Sequence, residues 1–335
     1  MKIAVIGAGA IGSLVAGYLK FKGQEVSLVG HADAVKAIKS KGLSISGVRG
    51  DFNLSLEVEE KLSYRPDLVI LATKTQDLEA ALRDNFDFLE DTVVLTTQNG
   101  VRADALAAAL LPKADIISSI VMFASTCLEP GKVKHNFEQS WVLGRIDRPN
   151  DEKVSQIAGF LSQGFSTQVV DDIRGMKYLK IFVNANNCIP AILGVSMQEA
   201  FQDLQVCRVS ISIWKEGLAL VNKLGIGLVS LPDFPVEGVV KLTSIPLSEA
   251  AQVFSGIMTH LSKEPFYGSI LQSIKRGKPS EIDYINGEFV RLAKENKVSA
   301  PLNKLLVEMV HQVENSKKFF SKEELFKQTQ SLVSD

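Results

Sequence analysis

A predicted helix over residues 176–187 carries a lysine and two asparagines on one face. Lys180 and Asn184 are four residues apart, and Asn187 follows three residues later, a spacing that brings helical side chains together. An ammonium group stabilises a developing oxyanion and delivers a proton to it, while asparagine amides orient a polar substrate. The set therefore suits the reduction of a carbonyl group by hydride, although a solvated Lys–Asn face has the same spacing.

A glycine-rich turn at the start of the chain indicates where a hydride donor would bind. A short apolar strand over residues 3–6 runs directly into the turn, and a helix follows. In this fingerprint the first glycine permits the tight turn, the second admits a pyrophosphate to the backbone, and the third lets the helix pack closely. The helix N terminus adds a partial positive charge. The predicted dinucleotide-binding residues are Gly7, Ala8, Gly9, Ala10, Ile11 and Gly12.

The first half of the chain alternates apolar strands with helices. Continuous apolar strands of this kind are typical of a parallel sheet covered on both faces, so a doubly wound Rossmann α/β domain is predicted. The expected strands of this sheet are 3–6, 25–29, 67–72, 92–96 and 116–121. Segments around 43–45, 52–58 and 132–143 are expected to add antiparallel edge strands.

The second half reads as helical, and 335 residues exceed the usual size of one hydrophobic core. We therefore predict a nucleotide-binding domain over residues 1–171 and an all-α domain over 172–335. Ser280 with Asp283 resembles a capping box, and Pro301 suits the first turn of a helix. The expected helices are 173–193, 197–225, 248–260, 281–296 and 301–317, with a loosely held helix in the polar tail.

The residues after the strands bear on the choice of cofactor. The second strand ends without a carboxylate, and His31, with Lys36 and Lys39 beyond it, tolerates a 2′-phosphate. This favours NADP(H) over the alternative, in which His31 is an exposed loop residue and both cofactors bind. Lys74 and Asn99 follow two parallel strands, where open α/β sheets bind ligands. Either they contact the cofactor or substrate, or they are a solvated lysine and a turn-forming asparagine.

Two further side chains in the helical half could bind a substrate. The Ser269 hydroxyl suits a substrate carboxylate, and the Glu281 carboxylate suits substrate hydroxyl groups. Taken alone, a loop serine and a first-turn glutamate favoured by the helix dipole are the simpler explanations.

Composition excludes several other classes of function. The formal net charge is −1, with both signs spread along the chain, so no nucleic-acid or membrane partner is expected. The three cysteines and four histidines have no metal-ligand spacing, so no metal site is predicted. Free thiols, an apolar N-terminal run too short for a signal peptide and the lack of a membrane-length segment favour the cytoplasm.

Taken together, these motifs resemble the ketopantoate reductase (2-dehydropantoate 2-reductase) family over roughly residues 1–315. The glycine loop, Lys74, the triplet 98–100 and Lys180 with Asn184 occur in the family's order, and the segment 280–287 followed by 300–303 is specific. The resemblance implies a Rossmann domain joined to a helical domain, with the site in the cleft between them. It also implies NADPH-dependent reduction of 2-dehydropantoate to pantoate, on the route to pantothenate and coenzyme A.

The resemblance also implies individual roles. Lys180 is expected to be the general acid, and Asn184, Asn187, Ser269 and Glu281 to bind substrate. Lys74 and Asn99 are expected beside the nicotinamide. The remaining cofactor residues are the glycine loop and His31.

Some positions depart from the family pattern. Where an Asn-Pro pair is common, this chain has residues 186–190, so either Asn187 or Cys188 fills that position. An arginine is common where His31 stands, which weakens the preference for NADP. The alternatives are therefore a reductase of another small 2-oxo acid or a non-enzymatic NADP(H) sensor. A helical second domain also offers a surface for a homodimer.

Overall fold

The computed structural model describes residues 1–262 and 264–333, and the chain divides into the units Met1–Arg174 and Gly175–Asp335. The division falls slightly after the predicted boundary at residue 171. In the described residues the strands are β1 (Ile3–Ile6), β2 (Val26–Val29), β3 (Leu43–Gly47), β4 (Phe52–Leu54), β5 (Glu57–Glu59), β6 (Leu68–Leu71), β7 (Val93–Thr96), β8 (Asp115–Val121), β9 (Ala124–Glu129), β10 (Lys132–Phe137), β11 (Trp141–Gly144) and β12 (Thr167–Val169).

The first unit is built on an eight-stranded sheet in the order β12-β11-β8-β7-β6-β1-β2-β5. The strands pair in parallel except β8 with β11, which are antiparallel. All residues of β1, β2 and β6 are buried, as expected for strands covered on both faces. The predicted α/β fold class is confirmed. The helices of this unit are α1 (Ala10–Phe21), α2 (Ala32–Lys41), α3 (Leu78–Asp84), α4 (Phe86–Leu89), α5 (Ala103–Leu110) and α6 (Glu152–Leu161).

The prediction of antiparallel edge strands is confirmed in part, since β3 pairs antiparallel with β4, β9 with β10 and β8 with β11, but most of these strands do not lie at an edge of the main sheet. β3, β4, β9 and β10 form a separate four-stranded sheet, in which β3 and β10 pair in parallel. β5 extends the main sheet in parallel with β2, and β11 lies inside that sheet because β12 pairs beyond it. Strand periodicity reports burial on each face but not the pairing partner, which lies far away in sequence. The second sheet packs on α1, where a Cβ at Gly17 would overlap Ile45.

A buried histidine joins the second sheet to α1. His135 on β10 is 1% exposed, and its Nδ1 lies 2.9 Å from the hydroxyl of Tyr18. Its Nε2 has no hydrogen-bond partner. Burial, and secondly the charge of Arg49, lower the pKa of His135 below its usual 6.5, so the folded protein holds this imidazole neutral.

We expect His135→Gln to weaken the acid sensitivity of folding. Below pH 6.5 the unfolded chain binds a proton at position 135 that the folded chain does not, so the unfolding free energy of the wild type falls as pH falls. Urea unfolding between pH 7.5 and 5.5 measures this slope. His260→Gln, at an exposed histidine, is the control. Equal slopes for the wild type and His135→Gln would show that folding does not lower the pKa of this imidazole.

The second unit is helical. The chain enters it along α7 (Ile173–Ala185), and a 3₁₀ turn covers Ile282–Tyr284. The further described helices are α8 (Cys188–Leu193), α9 (Met197–Phe201), α10 (Leu204–Lys223), α11 (Val236–Ser244), α12 (Leu247–Thr259), α13 (Ser269–Lys275), α14 (Asn286–Glu295), α15 (Pro301–Ser316) and α16 (Lys322–Thr329).

Each of the first two predicted helices is broken in two. The predicted 173–193 breaks at residues 186–187, and 197–225 breaks where Asp203 caps α10 by accepting a bond from the Gln205 N–H. Helix α15 begins at Pro301 as predicted. The tail helix α16 is fixed by a capping box of Ser321 and Glu324.

The predicted capping box at Ser280 is not formed. The Ser280 hydroxyl accepts a hydrogen bond from the Ile282 N–H, whereas the Asp283 carboxylate bonds His311 on α15. The segment forms a 3₁₀ turn, and α14 begins only at Asn286. Asp283 therefore bonds His311, which is distant in sequence, instead of capping a local helix.

A glutamate on α10 holds the start of α15. The Glu216 carboxylate accepts bonds from the Leu302 N–H (2.9 Å), the Asn303 N–H (2.9 Å) and the Asn303 side-chain amide (2.8 Å). Asn286 donates to Asn303 at 3.0 Å, and both asparagines are fully buried. The motif residues Asn286 and Asn303 thus join α14, α15 and α10 rather than line an open site.

Removing this carboxylate should destabilise the helical unit. We expect Glu216→Ala to cost about 2 kcal/mol, because it removes a charged cap and leaves the buried Asn303 amide short of an acceptor. Urea unfolding monitored by circular dichroism measures the loss. Glu308→Gln, exposed on α15, should stay within about 0.5 kcal/mol of the wild type. A similarly small effect of Glu216→Ala would contradict the capping role.

Candidate functional site

The glycine loop has the backbone geometry that its sequence predicts. Gly7 has φ +119°, and a Cβ there would lie 2.6 Å from the carbonyl carbon of Ala72. A Cβ at Gly12 would overlap the carbonyl oxygen of Gly7. Gly9 is the N-cap of α1, and a Cβ there would meet no protein atom within 4 Å. The loop is thus closed towards the sheet and open above Gly9.

The open side of the loop fits an anionic diphosphate. No side chain caps the N terminus of α1, and its first turn contains no acidic residue, so backbone N–H groups and the helix dipole face an anion without competition. Gly30, after β2, supports the loop closely, because a Cβ there would overlap the Ala8 side chain. These residues fit a dinucleotide with its pyrophosphate above Gly9.

His31 lies where the second strand ends. It is exposed, it is the N-cap of α2, and its side chain makes no capping bond. Lys36 and Lys39 on α2 are also exposed. The nearby carboxylate of Asp33 accepts a bond from the Ala34 N–H at 2.8 Å.

Gln98 organises the ends of β6 and β7. Its buried side-chain amide donates to the carbonyl oxygens of Leu71 (3.0 Å) and Thr73 (3.1 Å). These bonds tie the loop that carries Lys74 to the loop that carries Asn99. Sequence reasoning missed the role of Gln98, although it stands in the quoted triplet 98–100.

Lys74 and Asn99 are brought together at this edge of the sheet. Lys74 is the N-cap of the 3₁₀ turn Thr75–Asp77, and both side chains are partly exposed. The Thr75 hydroxyl donates to the Asn99 carbonyl oxygen at 3.4 Å. The glycine loop, His31, Lys74 and Asn99 all belong to the first unit.

Lys180 lies on α7, where both of its chain neighbours are apolar. Its neighbours Leu179 and Ile181 are buried, whereas Lys180 and Asn184 are partly exposed. Trp214 on α10 anchors α7 by donating its indole N–H to the Phe182 carbonyl oxygen at 2.8 Å. Burial lowers the pKa of Lys180 to about 8, because a poorly solvated ammonium group loses its proton more readily. An amine with this pKa exchanges protons near neutral pH.

Asn187 and Cys188 differ in what they can reach. Cys188 is fully buried, and burial raises the pKa of its thiol. Asn187 is partly exposed, and its Cγ lies 3.0 Å from the position of a Cβ at Gly268. Gly268 is the N-cap of α13, and the exposed Ser269 is the next residue. The fold therefore brings Asn187 next to Ser269, while Cys188 belongs to the core.

Glu281 lies in a turn that α15 holds on both sides. Glu281 is partly exposed and precedes the 3₁₀ turn Ile282–Tyr284. Before it, the Ser280 N–H donates to Glu314 at 2.7 Å; after it, Asp283 lies 3.0 Å from His311. His311 is a residue near the predicted site that sequence reasoning missed, since a lone histidine in an amphipathic helix gives no signal.

Across 1–262 and 264–333, no group of three or more His, Cys, Asp or Glu side chains is arranged to hold a metal ion. Within the same ranges, no helix combines the length and the apolar character needed to cross a bilayer.

Comparison with known proteins gives a consistent result. A family model described as "Ketopantoate reductase PanE/ApbA" matches residues 3–148, and its C-terminal counterpart matches residues 172–314. The chain is 32% identical to a 2-dehydropantoate 2-reductase of Pyrococcus horikoshii, over 92% of this chain and 96% of that protein.

Two solved structures are similar to this chain over nearly its whole length. A PanE/ApbA family ketopantoate reductase from Ralstonia eutropha has a TM-score of 0.80 at 25% identity, over 95% of this chain and 99% of that one. D-mandelate dehydrogenase, solved with NADH and anilino(oxo)acetate, has a TM-score of 0.80 at 28% identity, over 94% and 99%. The chain therefore belongs to the ketopantoate reductase family of oxidoreductases.

Proposed function

We propose that this protein reduces 2-dehydropantoate to pantoate with NADPH, and that Lys180 is the general acid. The observation that carries the proposal is a lysine with a pKa of about 8 on a helix that also presents Asn184, in a chain with an open dinucleotide loop. The family relatives named 2-dehydropantoate 2-reductase support the substrate.

The proposed mechanism assigns a task to each site residue. NADPH, when bound, supplies the hydride for the 2-oxo carbon. The Lys180 ammonium group donates a hydrogen bond to the carbonyl oxygen, stabilises its growing negative charge and gives it the proton. Asn184 and Asn187 orient the substrate, Ser269 donates to its carboxylate, and Glu281 accepts from its hydroxyl group.

On the cofactor side, residues 7–12 hold the pyrophosphate through backbone N–H groups. His31 receives the 2′-phosphate, which favours NADP(H), and Asp33, the acidic residue of α2, bonds its own helix backbone. Lys74 and Asn99 bind at the nicotinamide end.

A second candidate is a reductase of a different 2-oxo acid. The likeness to D-mandelate dehydrogenase favours it, since that structure matches this chain as well as a ketopantoate reductase does and contains NADH and anilino(oxo)acetate. Residues 186–190 of this chain stand where the family commonly has an Asn-Pro pair, and we propose that this segment contacts the substrate.

A panel assay distinguishes these functions. Initial rates would be measured with 2-dehydropantoate, phenylglyoxylate and small aliphatic 2-oxo acids, each with NADPH and with NADH. We expect the highest kcat/KM for 2-dehydropantoate with NADPH. A higher value for another acid would favour the second candidate, a preference for NADH would reject NADP specificity, and tight cofactor binding without turnover would indicate a sensor.

We also propose a cytoplasmic location and a homodimer. Cys127, Cys188 and Cys207 are free thiols, as is usual in a reducing compartment. Helix α12 exposes Val253 and Ile257, four residues apart, on one face, and such apolar surface is common at subunit interfaces. Analytical ultracentrifugation of the wild type and Ile257→Glu tests the assembly, because a dimer through this face would dissociate in the variant.

A further inference from the structure

The imidazole of His311 lies between two carboxylates. Its Nδ1 is 3.0 Å from Glu314 Oε2, and its Nε2 is 3.0 Å from Asp283 Oδ1. A neutral imidazole has one N–H donor, so it can satisfy only one of these acceptors; the protonated ring satisfies both. The arrangement is therefore complete only with a charged His311.

The electrostatics agree with this geometry. Charged groups face the ring from two elements, Asp283 from the 3₁₀ turn and Glu314 from α15 itself. Burial by itself lowers the pKa of His311, but the bonds to Asp283 and Glu314 raise it above the usual 6.5. The bonds to Ser280 and His311 lower the pKa of Glu314 against the opposing effect of burial.

The same groups hold the backbone around Glu281. The other oxygen of Glu314, Oε1, accepts the Ser280 N–H at 2.7 Å. Asp283, two residues beyond Glu281, is the second attachment point. Because the Glu314 side chain is only 13% exposed, its bond to the Ser280 N–H is shielded from water and so fixes the turn more firmly than a surface pair would. The Asp283 side chain is 55% exposed, so its bond to His311 is a surface pair.

We infer that His311 is a positioning residue. Its bonds to Asp283 and Glu314 fix the turn on both sides of Glu281 and so hold Glu281 in its substrate-binding position. The inference rests on the proposed role of Glu281 and adds a pH dependence to it. Both bonds of the ring are present while His311 is protonated, and one of them is lost as pH rises through the folded-state pKa of His311. Substrate affinity should fall with it, whereas proton transfer from Lys180 is a separate step.

A double-mutant cycle in the full-length enzyme tests the inference. We expect His311→Gln to raise KM for the 2-oxo acid about tenfold at pH 6, with kcat changed less than about threefold, since a positioning group acts mainly on binding. In the Glu281→Gln background, His311→Gln should add little, because the two residues act through one contact. Equal effects in both backgrounds, or a loss confined to kcat, would overturn the inference. His260→Gln is the matched control.

Two measurements need no substrate and keep this test separate from the reductase assignment. Histidine NMR titration should give His311 a pKa above 6.5 in the wild type and a lower one in Asp283→Asn. Hydrogen–deuterium exchange at one pH should be faster over residues 280–285 in His311→Gln than in the wild type. Unchanged exchange would refute the positioning role of His311 even in an active enzyme. Absent turnover with faster exchange would refute only the proposed function.

Discussion

Replacing Lys180 by alanine should abolish turnover while leaving cofactor binding intact. We expect kcat to fall about 10³-fold, the usual contribution of a positioned general acid. The Kd of NADPH should stay within about twofold of the wild type, because Lys180 lies in the second unit and the glycine loop in the first. Steady-state kinetics and NADPH fluorescence titration measure the two quantities.

The pH profile provides a second test of Lys180. Reduction requires the ammonium form, so kcat/KM should fall as pH rises through a pKa of about 8. Lys180→Arg keeps the positive charge but holds its proton too firmly to donate it, so any residual activity should lack this descending limb. Arg174→Ala, exposed on the same helix, is the control. Near-normal turnover of Lys180→Ala would show that another group is the acid.

Alanine at Gly9 and alanine at Gly12 should have different effects, although both glycines belong to one motif. At Gly12 the new Cβ overlaps the Gly7 carbonyl oxygen, so α1 must move from the loop, at a cost of about 3 kcal/mol. At Gly9 the Cβ enters open space, so folding should lose at most about 1 kcal/mol. Both variants should bind NADPH at least about tenfold more weakly, which corresponds to about 1.4 kcal/mol.

Comparing the two variants separates an effect on cofactor binding from an effect on folding stability. Urea unfolding separates the two variants, and fluorescence titration with NADPH gives the affinities. Gly159→Ala, in open space on α6, is a control that should bind NADPH normally. If Gly9→Ala were to bind NADPH as tightly as the wild type, the pyrophosphate would not lie above Gly9.

Features that depend on neighbouring residues were predictable. The strand β1, the tight turn at Gly7 and the start of α15 at Pro301 follow from apolar runs, glycine sterics and the missing proline N–H. The family resemblance was also predictable and is confirmed, because its motifs are short and keep their order.

Long-range contacts decided the rest. Whether residues 43–47 extend the main sheet or pair with β10 depends on a partner about ninety residues away, which strand periodicity does not encode. The bond of Asp283 to His311 in place of a helix cap, and the burial of Cys188, likewise arise only when helices pack.

For the proposed chemistry, the sequence by itself determined which groups are present: an amine, amides, a carboxylate and a glycine loop. The solvation and the pKa values of these groups depend on the tertiary structure. Lys180 has a pKa of about 8 because folding removes water from its ammonium group. The pKa of His311 is raised because two carboxylates from separate elements meet at its ring. Solvation and charge around a side chain are properties of assembled surfaces, so residue type and spacing cannot specify them.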